Sequence, residues 1–167
     1  MKVKVAETAG FCFGVKRAVD KVYQLIEEGT HPIYTLGPII HNEEAVTDLA
    51  AKGVQVIEEK DLASLTEGTV VIRSHGVGKA IYQELKENHL NYVDVTCPFV
   101  LKIHRIVEKQ SHAGKHVVIF GDPDHPEVKG ICGWCQGSYT VLKGRKDTEQ
   151  FTPPNGKGYM RCITDDI

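Results

Sequence analysis

The sequence predicts an α/β protein with mostly parallel sheets, built from alternating strands and helices. Short runs of β-branched residues, such as Val70-Val71-Ile72 and Val117-Val118-Ile119, are typical of buried strands. Segments with apolar residues at helical spacing separate these runs, and the connections are short. Parallel strands need a crossover connection, which a helix between successive strands provides.

In chain order, the first strand is predicted at residues 1–5, where apolar and charged side chains alternate. The further strands are predicted at residues 33–36, 54–57, 69–72, 92–95, 116–120 and 139–142. Helices are predicted to begin near Val15, Asn42, Ala80, Pro98 and Glu127, with a shorter helical connection at residues 61–65. The apolar face of the helix after Pro98 is predicted to consist of Val100, Ile103, Ile106 and Val107.

Two small units are predicted, because a complete strand–helix alternation begins again near Cys97. Residues 1–96 are expected to form the first unit and residues 97–144 a second, incomplete one. From about Lys143 the pattern decays, so that residues 145–167 are predicted to be an irregular tail.

Composition excludes several classes of protein. A formal net charge of -2 over 167 residues argues against a general nucleic-acid or membrane-surface role. No apolar run reaches the length of a membrane span, and Lys2, Lys4 and Glu7 interrupt any signal-peptide core. A cytoplasmic location is therefore the default expectation. In that setting the five cysteines are expected to be ligands or free thiols rather than a disulfide framework.

Five candidate site residues share one position, since each follows the carboxyl end of a predicted strand. They are Cys12, His41, His75, Cys97 and His125. Ligands bind outside the carboxyl ends of the strands in open α/β sheets, so these side chains are predicted to converge on one cavity. Cys12 also lies at the amino end of a helix, where the helix dipole favours a thiolate. Lys16 and Arg17 act in the same direction.

Each of these residues also has a purely structural interpretation. Cys12 can be an inert thiol in a tight turn, and the three histidines can belong to caps or turns. Glu127 can be an ordinary acid in the first turn of a helix. Cys132 and Cys135 have the spacing of a zinc or redox pair, but no second pair is present, which favours free thiols. The histidines on predicted surfaces or strand starts are unassigned: His31, His89, His104, His112 and His116.

The chemistry of the whole set is more specific than that of any single member. Imidazoles near helix amino ends suit a multiply charged anion such as a diphosphate. Two thiolates facing the same cavity suit zinc or an iron–sulfur cluster. Glu127, two residues after His125, can carry protons. Together these features indicate reductive chemistry on a phosphorylated small molecule.

Five short motifs carry a resemblance to a known family. In chain order they are AGFCFGV (9–15), GPIIHN (37–42), RSHGV (73–77), DVTCP (94–98) and HPEV (125–128). Together they closely resemble the 4-hydroxy-3-methylbut-2-enyl diphosphate reductase family, the LytB-type enzymes of the non-mevalonate isoprenoid pathway. The resemblance implies three α/β units around a 4Fe–4S cluster. It also implies the removal of the hydroxyl of an allylic diphosphate with two electrons and two protons.

The resemblance also implies roles for individual residues. Cys12 and Cys97 would be two of the three protein ligands of the cluster. The diphosphate would be held by His41, His75 and His125. Glu127 would deliver protons toward the substrate hydroxyl, and a ferredoxin- or flavodoxin-type partner would supply electrons. The products would be isopentenyl and dimethylallyl diphosphate.

The sequence departs from the family where the third unit would follow. Cys162 does not lie in the context of the family's third cysteine ligand, and neither do Cys132 and Cys135. The chain is therefore expected to be the amino-terminal two units of a longer enzyme, with little activity of its own. The alternative is a non-catalytic remnant that binds a diphosphate, or that binds zinc through Cys132 and Cys135.

Overall fold

The computed structural model describes residues 2–7, 9–154 and 158–163, with the backbone alone for residues 159–163. Its helices are α1 (Phe13–Glu27), α2 (Glu43–Ala51), α3 (Lys79–Glu87), α4 (Pro98–His112), α5 (Pro126–Cys132) and α6 (Arg145–Gln150). Its strands are β1 (Ile33–Leu36), β2 (Val54–Ile57), β3 (Thr69–Ile72), β4 (Asn91–Asp94), β5 (His116–Phe120), β6 (Tyr139–Leu142) and β7 (Tyr159–Ile163). A 3₁₀-helix, Glu59–Ser64, connects β2 to β3. No helix within the described ranges has the length and apolar character that a membrane crossing needs.

The strands form two parallel sheets, which confirms the predicted α/β class. The first sheet has the order β2-β1-β3-β4 and the second the order β6-β5-β7. The register aligns Leu36 with Ile72, and Ile72 with Asp94. The carboxyl ends of β1, β3 and β4 therefore lie along one edge of the first sheet, where the loops that follow them come together.

Both faces of the first sheet are covered, as parallel sheets require. Val71 of β3 packs with Val22 of α1 in one apolar cluster. Its neighbours Val70 and Ile72 point the other way and pack with Leu85 of α3. This alternation is the two-residue period of a strand, and it holds the sheet between two layers of helices.

The strand predicted at residues 1–5 is wrong. Residues 2–6 have no regular structure, and Val3 and Val5 are 77% and 79% exposed. An alternating pattern forms a strand only when a neighbouring strand accepts its hydrogen bonds. Neither sheet offers such a neighbour to this segment within the described residues. Cys12 therefore follows an irregular segment rather than a strand.

The apolar face predicted for α4 is partly wrong. The buried residues of this helix are Val100, His104, Val107 and Ser111, whereas Ile106 is 42% exposed. These four positions follow the four–three–four spacing of one helical face. The helix is thus rotated relative to the prediction, and it turns a histidine and a serine toward the interior.

The irregular tail predicted for residues 145–167 is wrong at residues 145–150 and 159–163, which form a helix and a strand. Residues 145–150 form α6, and β7 pairs in parallel with β5, placing Val118 opposite Arg161. Residues 164–167 lie outside the described residues. Although the strands form two separate sheets, the division of the chain at residues 96 and 97 stays a prediction.

The two sheets are joined where the turn after β3 packs against the end of α5. A Cβ atom on Gly133 would lie 2.5 Å from the Cα of Gly78, so the two backbones touch. The Trp134 Nε1–H donates to the carbonyl of Val77 at 2.9 Å. The backbone N–H of Lys79 donates to the carbonyl of Gly133 at 3.3 Å. This backbone contact, which only glycine allows, determines how closely the sheets approach.

A Gly133→Ala variant tests this contact. Gly133 has helical backbone angles (φ -65°, ψ -10°), so alanine is acceptable to the backbone itself and the cost is steric. We expect the free energy of unfolding to fall by about 1–3 kcal/mol, measured by urea denaturation. Gly144→Ala is the matched control, because Gly144 is extended and has no neighbouring atom within 4 Å of a Cβ. Equal losses in the two variants would contradict the proposed contact.

Candidate functional site

Three histidines from distant parts of the chain converge at the edge where the parallel strands end. The ring centroids of His41 and His75 are 5.0 Å apart, those of His75 and His125 are 5.7 Å apart, and those of His41 and His125 are 6.3 Å apart. Each ring offers a nitrogen within 4.8 Å of the other two. The predicted convergence is therefore observed for these three side chains.

Local structure explains how each ring is held. His41 precedes Asn42, whose side-chain oxygen accepts the Ala45 N–H at 2.9 Å and caps α2. His75 precedes Gly76, whose positive φ of +71° turns the chain sharply after β3. His125 is the N-cap of α5, and its Nδ1 accepts the backbone N–H of Glu127 at 3.3 Å. All three rings thus project from turns that follow strands.

His75 is held in its uncharged form by its surroundings. The pKa of His75 is lowered to about 4, chiefly by burial, with further contributions from His41, Arg73 and His125. Its Nδ1 is buried and has no hydrogen-bond partner among the described residues. At neutral pH this ring is therefore an uncharged donor or acceptor facing the other two.

The two candidate cysteines both lie at the first turn of α1, Cys12 as its N-cap and Cys97 packed against Gly14. Cys12 is the N-cap of α1 and Cys97 the N-cap of α4, with Pro98 at the first helical position. A Cβ atom on Gly14 would lie 2.8 Å from the Sγ of Cys97, so the thiol of Cys97 rests on the first turn of α1. Glycine at position 14 is needed for this approach.

The turn before Cys97 is held by three hydrogen bonds from the first sheet and α1. The backbone N–H of Cys97 donates to the carbonyl of Ser74 at 2.9 Å. The Thr96 N–H donates to the carboxylate of Asp94 at 2.9 Å, and Arg17 donates to the Thr96 carbonyl at 2.6 Å. Arg17 thus positions the Cys97 turn. The bond from Cys97 to Ser74 also links this turn to the one that carries His75.

Glu127 is the candidate proton carrier, and the structure buries it. Its side chain is only 5% exposed, and burial raises the pKa of its carboxyl group. It lies in the first turn of α5, two residues after His125. A carboxyl group in this environment keeps its proton at a higher pH than a carboxyl group in water, which suits a proton donor.

Aromatic side chains surround the cysteines and face solvent. Phe11, Phe13 and Phe99 are 48%, 68% and 73% exposed. Exposed apolar side chains that lie together often mark a binding or interaction surface. They give the cysteine end of the site an apolar surround, in contrast to the polar histidine end.

The cysteines of the CGWC segment do not join either group. Cys132 and Cys135 pack against the apolar core of the second sheet, and burial raises the pKa of Cys132. Within the described ranges, the only group of three residues that could share a metal ion is His41, His75 and His125. A zinc site through Cys132 and Cys135 therefore has no support in the described part of the chain. The side chain of Cys162 lies outside it.

The sequence analysis missed His104, which supports the turn of His75. Its ring is 1% exposed, stacks on Trp134 at 5.3 Å, and leaves both nitrogens without a partner among the described residues. A Cβ on Gly76 would lie 2.7 Å from its Cε1. In the sequence, His104 lies four residues after Val100 and three before Val107, which places it on the same helical face as these two valines. Burial lowers the pKa of His104 to about 4.

Arg73 belongs to the RSHGV motif but is not among the predicted site residues, and its guanidinium lies beside the histidine cluster. A Cβ on Gly37 would lie 2.0 Å from its Nη1, so the guanidinium lies against the turn that leads to His41. The charge of Arg73 also acts on His75. The signal in the sequence was its position, directly after a buried strand and two residues before His75.

Comparison with known proteins finds one family. The family model described as "LytB protein" matches residues 3–164 of the chain, including the segment after residue 144 that the sequence analysis excluded. A 4-hydroxy-3-methylbut-2-enyl diphosphate reductase of Thermoanaerobacter sp. (strain X514) is 52% identical over 153 residues, covering 90% of this chain and 53% of the relative. A 4-hydroxy-3-methylbut-2-enyl diphosphate reductase of Clostridioides difficile (strain 630) is 43% identical over 159 residues, covering 95% of this chain and 57% of the relative. The chain spans about half the length of these relatives.

Solved structures show the same fold. The E-1-hydroxy-2-methyl-but-2-enyl-4-diphosphate reductase from Plasmodium falciparum matches with a TM-score of 0.87 at 26% identity, covering 95% of this chain and 49% of that one. A structure described as (E)-4-hydroxy-3-methyl-but-2-enyl diphosphate reductase, the terminal enzyme of the non-mevalonate pathway, matches with a TM-score of 0.74 at 39% identity. It covers 89% of this chain and 53% of that one.

The buried state of His104 predicts a pH dependence of stability. Between pH 6.5 and about 4 the unfolded chain binds a proton at His104 and the folded chain does not, so acidification favours unfolding. In His104→Phe, the loss of unfolding free energy between pH 7 and pH 5 should shrink by on the order of 1–2 kcal/mol. Urea denaturation at pH 7 and at pH 5 measures this change in unfolding free energy. His112→Phe, at an exposed position of α4, is the control. An unchanged pH dependence in His104→Phe would contradict the lowered pKa of His104.

Proposed function

This chain belongs to the LytB family, and we propose that it carries the diphosphate-binding and proton-delivering part of a 4-hydroxy-3-methylbut-2-enyl diphosphate reductase. The observation that carries this proposal is the convergence of His41, His75 and His125 within 4.8 Å at the ends of parallel strands. The relatives that share the fold are named for a diphosphate substrate. Three imidazoles in this position suit an anion with several oxygen atoms.

The tautomer of His125 favours an anion over a metal ion as the ligand. Its Nδ1 accepts a backbone hydrogen bond from Glu127, so in the neutral ring the proton resides on Nε2. The nitrogen that remains for a ligand is therefore an N–H donor. A phosphate oxygen accepts such a bond, whereas a metal ion needs a bare nitrogen. His75, which is neutral at pH 7, can donate in the same way.

Glu127 is proposed to supply a proton to the substrate hydroxyl, which leaves as water. Overall, one molecule of the allylic diphosphate takes up two electrons and two protons and gives one isopentenyl or dimethylallyl diphosphate and one water. The burial of Glu127 supports this role, since it raises the pKa of the carboxyl group and so favours the protonated form that a proton donor needs. The hydrogen bond from the Glu127 backbone N–H to the Nδ1 of His125 holds the first turn of α5 at the histidine cluster.

Cys12 and Cys97 are proposed to hold two irons of a 4Fe–4S cluster. The fit rests on the donor set, two thiols at helix N-caps, and on the Gly14 position that lets the Cys97 sulfur reach the turn of Cys12. When bound, such a cluster supplies the electrons of the reduction. A third thiolate is not near these two within the described ranges. We therefore expect little activity from this chain alone.

The remaining parts of the proposal follow from the chemistry. A reduction by two electrons needs a donor, and a ferredoxin- or flavodoxin-type protein is the expected class. A cytoplasmic location is proposed on the same basis, since the pathway's phosphorylated intermediates are soluble metabolites. The apolar surround formed by Phe11, Phe13 and Phe99 suits the uncharged hydrocarbon part of an allylic substrate or further protein.

Anaerobic reconstitution with iron and sulfide tests the cysteine assignment. The purified chain should take up iron together with acid-labile sulfide, and Cys97→Ala should lose most of both because a thiolate ligand is removed. Cys132→Ala is the matched control and should retain them, since Cys132 packs in the core. Stoichiometric zinc without sulfide, or equal iron content in the two variants, would contradict the proposal. Substrate consumption with dithionite as reductant is expected to be weak.

His125→Asn separates the structural role of His125 from its role in binding. Asparagine keeps an acceptor that can cap α5, but it cannot place a donor where Nε2 lies. We expect the affinity for inorganic pyrophosphate to fall by about tenfold, as loss of one charge-assisted hydrogen bond implies. Isothermal titration calorimetry measures the affinity, and the urea midpoint should stay close to that of the wild type. Unchanged pyrophosphate binding would show that His125 does not contact the anion.

A further inference from the structure

Arg73 lies between the two turns that carry His41 and His75. It directly follows Ile72, which is in register with Leu36 of the neighbouring strand. Gly37, the residue after Leu36, has a positive φ of +72°, and a Cβ there would meet the Arg73 Nη1 at 2.0 Å. The guanidinium therefore lies against the backbone at the start of the His41 turn. No side chain larger than hydrogen fits at position 37 while it stays there.

The guanidinium is half-buried and is not neutralised by the protein. Its Nε is buried without a hydrogen-bond partner in the described part of the chain. Burial lowers the pKa of Arg73, and the opposing carboxylate is Glu59, which is exposed. No ion pair joins Arg73 to a carboxylate within the described residues. A cation removed from water without a partner is costly, and a bound anion relieves that cost.

The histidines alone leave the anion without a permanent countercharge. His75 is neutral at physiological pH and offers a hydrogen bond but no charge. A diphosphate carries several negative charges, and charge-assisted bonds are about twice as strong as neutral ones. Arg73 cannot lose its proton in the physiological range, and its charge already reaches the ring of His75. Arg73 therefore adds a fixed positive charge beside the neutral donor of His75.

We propose that Arg73 is a further substrate-binding residue, the permanent cation that attracts and holds the diphosphate at the three histidines. This assignment rests on the proposed function of the site, because it takes the diphosphate as the ligand. The guanidinium acts through its charge from its position at Gly37, and the histidines make the direct hydrogen bonds. Removing the charge should then weaken anion binding without removing the donors.

Titration of the full chain with inorganic pyrophosphate tests the proposal. Arg73→Met should bind about tenfold more weakly at low ionic strength, and the difference should shrink in 0.5 M salt because screening weakens the attraction. Arg73→Lys keeps the charge and should bind more tightly than Arg73→Met. Arg105→Met is the matched control, since it removes one arginine from an exposed position on α4 and should bind as the wild type does.

A second measurement distinguishes charge from general disruption. In an NMR titration, the pKa of the His75 ring should rise above its value of about 4 in Arg73→Met. In Arg105→Met it should remain at about 4. If Arg73→Met does not fold, Glu59→Gln decides the question. It removes the opposing charge, so tighter pyrophosphate binding supports the proposal and unchanged binding contradicts it.

The outcomes separate this proposal from the function on which it rests. A wild-type chain that binds no pyrophosphate at millimolar concentration would overturn the diphosphate site itself. A wild-type chain that binds it, together with an Arg73→Met variant of equal affinity and salt dependence, would overturn only the role of Arg73. Weaker binding in both Arg73→Met and Arg105→Met would likewise contradict a specific role for Arg73.

Discussion

The close approach of two backbones, at Gly78 and Gly133, is the contact on which the histidine cluster depends. His41 and His75 belong to loops of the first sheet, whereas His125 starts a helix that follows the second. The three rings meet only because the sheets come together at glycine-to-glycine distance. Trp134 and His104 fill the adjacent space by stacking on each other. A layer of side chains between the backbones would separate His125 from its partners.

Burial acts on the acidic and basic groups of the site in opposite directions, and both effects favour neutral forms. It lowers the pKa of His75 and raises that of Glu127, so the imidazole loses its proton more easily and the carboxyl group keeps its own. The site therefore combines an uncharged His75 ring with the fixed positive charge of Arg73. Burial acts on Glu127 in the direction that favours its protonated form.

Local sequence patterns predicted six of the seven described strands and most helices, because β-branched runs and helical spacing act over short distances. The convergence of the histidines was also predictable, since parallel strands bring their carboxyl ends to one edge. Three of the failures involve partners far along the chain. Residues 2–6 lack a neighbouring strand, β7 finds one in β5, and α4 turns His104 inward because Trp134 offers a ring to stack on. Apolar periodicity contains no information about such partners.

The contact of the Cys97 sulfur with Gly14 determines when, during biosynthesis, this part of the site can form. Cys12 emerges from the ribosome early, but its neighbour thiol belongs to a helix that begins at Pro98 and is held by hydrogen bonds to Ser74 and Arg17. Cys97 therefore reaches the first turn of α1 only after α1, β3 and α4 have come together. A metal group held by both thiols, as proposed, can therefore bind only after this folding step, because before it the two cysteines are not yet held at the same turn.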